Sequence, residues 1–282
     1  MFNSGIRNRI RAALGSNASP TEATGPTRAP EPQSLYDGKL LCGKNALITG
    51  AGRNIGKSTA VEMAMQGANV YFTDVEPTRC GALERELRNF QHNAKGFVAD
   101  VTSKEDNDSL ISFFAANGIV PDILVNNVGT NADDFLTTFR TNVFGPAHLT
   151  GLFSKLMIEK KVAGSIIFIT SIHQETIMRA VSYSSSKAAL AMIIKELAIE
   201  LAPHGIRVNG IAPGYVAEDH QGTPVPHKYT PLHGTSVHPR YIGRAAVYLA
   251  SDYFSRYTTG SIITIDGALS LVNYFSTMGY TR

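Results

Sequence analysis

Only two cysteines occur in 282 residues, Cys42 and Cys80, and they have neither metal-ligand spacing nor a disulfide framework around them. A reducing compartment is the natural expectation, and no metal site is expected. Long apolar runs are missing as well. The longest, such as "SIIFIT", fall far short of a bilayer span, so neither a membrane segment nor a membrane partner is expected. The third absence is an excess of one charge sign. The formal charge is +3, yet ahead of Glu22 the only charged side chains are Arg7, Arg9 and Arg11, and the remainder carries as many basic as acidic residues. A balanced body argues against broad attraction to nucleic acid or anionic lipid. What is left, 43% hydrophobic and 17% charged, is ordinary globular composition at a length one α/β domain fills.

Residues 1–38 read as a flexible extension. The segment "SNASPTEATGPTRAPEPQ" is rich in Pro, Thr, Ala and Ser and has too little apolar surface to offset the entropy of ordering. Before it, Ile6, Ile10 and Leu14 in "IRNRIRAAL" recur every four residues and share one face of a short helix. That helix frays, docks on a neighbouring subunit, or serves as an Arg-bearing, acid-free transit peptide within residues 1–30. The first two readings place the protein in the cytoplasm, the third in the mitochondrial matrix.

From Lys39 short apolar runs alternate with longer amphipathic stretches, the signature of repeated βαβ units. The strand candidates are "NALIT", "NVYFT", "KGFVA", "DILV", "SIIFIT", "RVNGIA" and "SIITI". Seven of them predict an α/β, Rossmann-like doubly wound parallel sheet with helices on both faces, one domain over residues 39–271. Ligands of such sheets sit beyond the carboxyl ends of the strands, near the point where strand order reverses. Residues 272–282 read as a C-terminal extension, with Tyr274, Phe275 and Tyr280 available to pack on a partner subunit.

After the first strand comes "TGAGRNIGKST", a glycine-rich turn opening a helix. Gly50 permits the tight turn, Gly56 lets the helix pack closely on the sheet, and free amides at the helix start can hold a pyrophosphate. After the second strand, about two dozen positions beyond the first glycine, stands Asp74, where a carboxylate accepts from an adenosine ribose and repels a 2′-phosphate. This favours NAD over NADP, while Arg53 inside the turn is a cation that suits a phosphate. Asp74 is also readable as a helix cap and Arg53 as a surface charge, but Asp74 sits at the spot where the ribose must lie. Asp100 in "ADVTS" and Asn126, Asn127 and Gly129 in "NNVG" end further strands; singly they are caps and turn formers, together they line one edge of the sheet.

The ordered set "TGAGRNIG", "NNVG", "TNVFG", "ITSIHQ", "YSSSKAAL" and "IRVNGIAPG" resembles the short-chain dehydrogenase/reductase family in its standard, non-extended branch, over roughly residues 38–271. The resemblance implies nicotinamide-dependent hydride transfer between an alcohol and a carbonyl, commonly in homotetramers. It implies Tyr183 as general acid/base, Lys187 lowering the phenol's pKa and binding the nicotinamide ribose, Ser171 polarising the reacting oxygen, and Asn142 holding a water in a proton relay. Helical spacing agrees, since positions 183 and 187 lie one above the other. Serines 184–186 are read as keeping bulk away from a helix edge close to the cofactor. The cofactor contacts implied are Gly50, Arg53, Asn54, Ile55, Gly56, Asp74, Asp100, Val101, Asn127, Gly129, Tyr183, Lys187, Pro213, Gly214 and Val216.

Three departures stand out. Asn54 occupies the place of the family's second glycine; Asn tolerates positive φ but narrows the space for pyrophosphate. Glu218 stands where a threonine commonly meets the nicotinamide carboxamide. The spacing from Ser171 to Tyr183 is one residue short, predicting a reshaped substrate loop. Around the reacting carbon, "IHQETIMRAVS" and "AEDHQGTPVPHKYTPLHGTSVH" bring many histidines and few large apolar groups, which favours a polar, hydroxylated small molecule. The substrate candidates are His173, Glu175, Tyr215 and His220, all of them equally readable as solvated loop residues. An NADPH-dependent 3-oxoacyl reductase and a non-catalytic nucleotide sensor are the competing readings.

Overall fold

The computed structural model describes residues 39–272 apart from positions 91, 92 and 133; the readings made for the N-terminal helix, the linker and Tyr274, Phe275 and Tyr280 lie outside the described residues. Among the described residues there are seven strands, each within one residue of its candidate run: β1 Asn45–Ile48, β2 Asn69–Asp74, β3 Ala94–Val98, β4 Ile123–Asn126, β5 Ser165–Ile169, β6 Arg207–Pro213 and β7 Ile262–Ile265. They pair in parallel throughout, in the order β3-β2-β1-β4-β5-β6-β7. The order reverses between β1 and β4, and a crevice opens there beyond the strand ends.

β4, β5 and β6 are buried along their whole length, which is why their sequences run apolar without alternation. Successive side chains still go to opposite faces. Ala46 and Ile48 join Val70, Phe72, Ile167 and Ile211 under helices α1 (Asn54–Met65), α2 (Pro77–Leu87) and α7 (Pro239–Ala250). Leu47 joins Leu124, Ile166 and Phe168 under α3 (Lys104–Ala116), α5 (Gly145–Glu159) and α6 (Val181–Leu201), where Phe114, Phe153 and Leu190 fill the space. Short α4 (Phe135–Phe139) runs through a π-helical turn, Arg140–Phe144, into α5.

The helix starts follow local chemistry. Ser103 Oγ accepts from the Asp106 amide to cap α3, and His238 Nδ1 accepts from the Arg240 amide ahead of Pro239 to cap α7. The result is a sheet covered on both faces, whose carboxyl-end loops carry the polar residues singled out above.

Candidate active site

The glycine turn is built around Asp74. Gly50 sits at φ +63°, and a Cβ at Gly56 would stand 2.3 Å from the Gly50 carbonyl, so both positions require glycine. Asn54 occupies the left-handed region at φ +48°, a conformation Asn adopts more readily than most residues. The buried Asp74 carboxylate accepts from the Gly52 amide through Oδ2 (2.9 Å) and from the Glu76 amide through Oδ1 (3.0 Å), with the Arg79 guanidinium 3.6 Å from Oδ1. Each oxygen retains a lone pair for a ribose hydroxyl. Arg53 is exposed and makes no side-chain cap.

Across the crevice, Asn127 Nδ2 donates to the carbonyls of Thr49 (3.0 Å) and Gly50 (2.9 Å) and so pins the turn to β4. Asp100 Oδ1 accepts from the Thr102 amide at 2.8 Å, a turn-stabilising bond at an exposed position, and Val101 is buried against Gly145.

The reacting end gathers on β5 and α6. Ser171 Oγ accepts from the His173 amide at 3.2 Å and is also hydrogen-bonded to the Tyr183 phenol. Lys187 is buried and donates to the Ile169 carbonyl at 3.0 Å, with Nζ 5.6 Å from the centre of the Tyr183 ring. Burial pushes its ammonium down to about 8. The Tyr183 phenol moves up, because burial outweighs its bond to Ser171.

Asn142, on the π-helical turn, accepts from the Thr130 amide (2.7 Å) and donates to the Thr130 carbonyl (2.8 Å) and Ser186 Oγ (2.9 Å); Ser186 in turn donates to the Tyr183 carbonyl (2.7 Å). Both amide hydrogens are used within the protein, and through Ser186 this side chain is tied to the Tyr183 main chain. Ser184, Ser185 and Ser186 do not line the cavity, whereas Tyr183 and Lys187, one helical turn apart, both do.

These groups open on one cavity of about 810 Å³, lined by Asn54, Ile55, Asn127 and Gly129 on one side and by Ser171, His173, Tyr183 and Lys187 on the other. Pro213, Gly214, Tyr215 and Val216 close it from β6. Two of the four substrate candidates, His173 and Tyr215, are there. Glu175 is not: it is exposed on the outer side of its turn, accepting from Gln174 Nε2 at 3.3 Å. His220 is not either, because Asp219 Oδ1 accepts from the amides of Gln221 (2.8 Å) and Thr223 (2.9 Å) and turns the chain outward at an exposed tip.

His227 and Tyr229 take their place, with His227 stacked 4.5 Å from Tyr215 and its Nδ1 2.8 Å from Thr230 Oγ1. Local spacing held no signal for Tyr229 or for Thr176, which also lines the cavity. Glu218 does not line it and lies 3.5 Å from His238 Nε2. No carboxylate lines the cavity among the described residues, and no group of three or more His, Cys, Asp or Glu is placed there to hold a metal ion.

The donor set fits a nicotinamide dinucleotide. An acceptor carboxylate closes the β2 end, glycine backbone lies open at the α1 start, and the Lys187 ammonium has donors to spare beside Gly129, where a Cβ would stand 3.3 Å from Nζ.

A family model for short chain dehydrogenases matches residues 44–227. The 7alpha-hydroxysteroid dehydrogenase of Escherichia coli is 33% identical over 247 residues, 82% of this chain and 96% of that one. A 7 alpha-hydroxysteroid dehydrogenase complexed with NADH and 7-oxo glycochenodeoxycholic acid superposes with a TM-score of 0.74 at 32% identity, covering 82% of this chain and 96% of the other. A gluconate 5-dehydrogenase from Burkholderia cenocepacia, in complex with NADP and tartrate, superposes with a TM-score of 0.74 at 29% identity, covering 83% and 97%.

Proposed function

The chain belongs to the short-chain dehydrogenase family of NAD(P)-dependent oxidoreductases, and on that premise we propose that Tyr183 is the general acid/base for hydride transfer on a small hydroxylated alcohol or carbonyl compound. The observation that carries this reading is the convergence of Ser171, Tyr183 and a buried Lys187 on one cavity beside the glycine turn. In the reducing direction Ser171 turns its hydroxyl hydrogen from the phenol to the substrate oxygen and orients it, and Tyr183 delivers a proton to that oxygen as the carbonyl becomes an alcohol. The nicotinamide, when bound, supplies the hydride. A phenol held above its usual range suits the acid role; Lys187 lies near enough to stabilise the phenolate left behind and to return the proton. Oxidation runs the same steps backwards.

NAD is the preferred cofactor on this reading, because a 2′-phosphate would meet the Asp74 carboxylate. Arg79 beside Asp74, and Arg53, favour a second reading, an NADPH-dependent 3-oxoacyl reductase. Titration with NADH and NADPH separates them: tighter NADH by tenfold or more supports the first, the reverse supports the second. The walls are largely apolar, with Ile172, Ile177 and Met178 among them, and set into them His173, Tyr215, His227 and Tyr229 offer hydrogen-bond partners that support a small hydroxylated substrate.

Exposed apolar side chains at Phe135, Leu136 and Phe144, and again at Tyr248, Tyr253 and Phe254, support assembly into a homo-oligomer, with a tetramer expected by light scattering. Two free thiols and the absence, among the described residues, of any helix long and apolar enough to cross a membrane support a reducing, cytoplasmic setting, which fractionation of cells tests.

A further inference from the structure

The ring of His173 lines the cavity, two residues beyond Ser171, with its centroid 6.3 Å from that of Tyr183 in an edge-to-face arrangement. It therefore stands on the wall next to Tyr183 and Ser171. Its tautomer follows from its neighbours. Thr176 Oγ1 lies 3.0 Å from the Ile172 carbonyl and 3.1 Å from His173 Nδ1. A carbonyl only accepts, and without a hydrogen between them the two oxygens would face each other at that distance, so the one hydroxyl hydrogen of Thr176 goes to Ile172. The hydroxyl must then accept, and Nδ1 carries the ring proton. Nε2 is left as a lone pair, with no hydrogen-bond partner among the described residues. Burial keeps the imidazole neutral by pushing its pKa down, against a hydrogen bond to the Thr176 main chain.

Resting on the redox reading above, we propose that His173 is a specificity residue whose Nε2 accepts a hydrogen bond from a hydroxyl on the carbon adjacent to the reacting one, making vicinal diols and their α-hydroxy ketones the preferred substrate class. The group it reads must be a donor. A carboxylate there would set lone pair against lone pair. An ammonium would share a cavity with Lys187 and find no carboxylate on its walls. A neutral hydroxyl satisfies both restrictions, and a buried acceptor left unpaired penalises the analogue that lacks it.

The test uses the full chain with two matched pairs, 1,2-cyclohexanediol against cyclohexanol with NAD, and 2-hydroxycyclohexanone against cyclohexanone with NADH. The readout is the ratio of kcat/KM within each pair. The wild-type chain is expected to favour the hydroxylated member by about tenfold or more, the value of one hydrogen bond. His173→Leu should bring the ratio to about one, mostly through KM, while His173→Gln, whose amide oxygen still accepts, retains most of it. Thr176→Val frees the ring to take the other tautomer and should erode the ratio partly; it decides the matter if His173→Leu fails to fold.

A wild-type ratio near one, or a ratio that survives both His173→Leu and Thr176→Val, overturns the proposal and leaves the redox reading standing. If no compound of either pair is turned over while NADH binding, followed by its fluorescence, is intact, the specificity and the redox roles fall together. Turnover lost by Tyr183→Phe alone, with the ratio unaffected by every His173 variant, sinks the specificity role only.

Discussion

Two buried charges sit at the carboxyl ends of the sheet and are treated in opposite ways. Asp74, at the end of β2, has two main-chain N–H groups and a guanidinium around its carboxylate. Lys187, beside the end of β5, has one carbonyl and no acid. The nucleotide edge is thus a settled scaffold in which the charge organises the turn, whereas the reacting edge holds a cation that burial disfavours. The contrast separates residues that stabilise the protein and also bind from one kept for chemistry at the expense of stability.

The strongest way to break this contrast is Lys187→Met. Turnover should fall by about 10²- to 10⁴-fold, the usual range for losing acid–base support. Stability at neutral pH should rise, by on the order of 1–2 kcal/mol once the lost bond to Ile169 is set against the relieved burial. The sign follows from a folded value of about 8 against an ordinary 10.5. Between those two values the unfolded chain holds a proton that the folded chain has released, so wild-type stability climbs with pH across that window and is flat below it with respect to this group. Urea unfolding at several pH values checks both points, and the Met variant should lack the climb.

Asp74→Ala should act in the other direction, lowering stability by about 2–3 kcal/mol because two partly buried amides lose a charged acceptor. It should also raise the affinity for NADPH relative to NADH, measured by titration. Asn54→Gly is the mildest change. With the left-handed φ already tolerated by Asn, stability should move by no more than about 0.5 kcal/mol, while nucleotide binding tightens a few-fold as space opens at the turn.

Sequence was most informative where local chemistry and repetition agree. Runs such as "SIIFI" and "RVNGIA" are legible as buried strands because two faces of helices cover them, and Gly50, Gly56 and Asp74 are legible because a turn, a close packing and a strand end each demand one residue type. It was least informative about the walls facing the substrate. Glu175 and His220 are exposed, while His227 and Tyr229 line the cavity, because bonds across sequence shape the segment after β6: Ser236 Oγ accepts from the Val225 amide and donates to the Ala217 carbonyl. The three serines show the same limit. Ser186 is used to join Asn142 to the Tyr183 main chain, a role set by the π-helical turn and by no local pattern.

The most direct test of the central assignment is a single-turnover measurement of hydride transfer from NADH to a carbonyl substrate, comparing the wild-type chain with Tyr183→Phe. The account predicts a loss of about 10²- to 10⁴-fold with the dissociation constant for NADH held within about threefold. Transfer at the wild-type rate in the Phe variant, with the nucleotide bound as before, would contradict it.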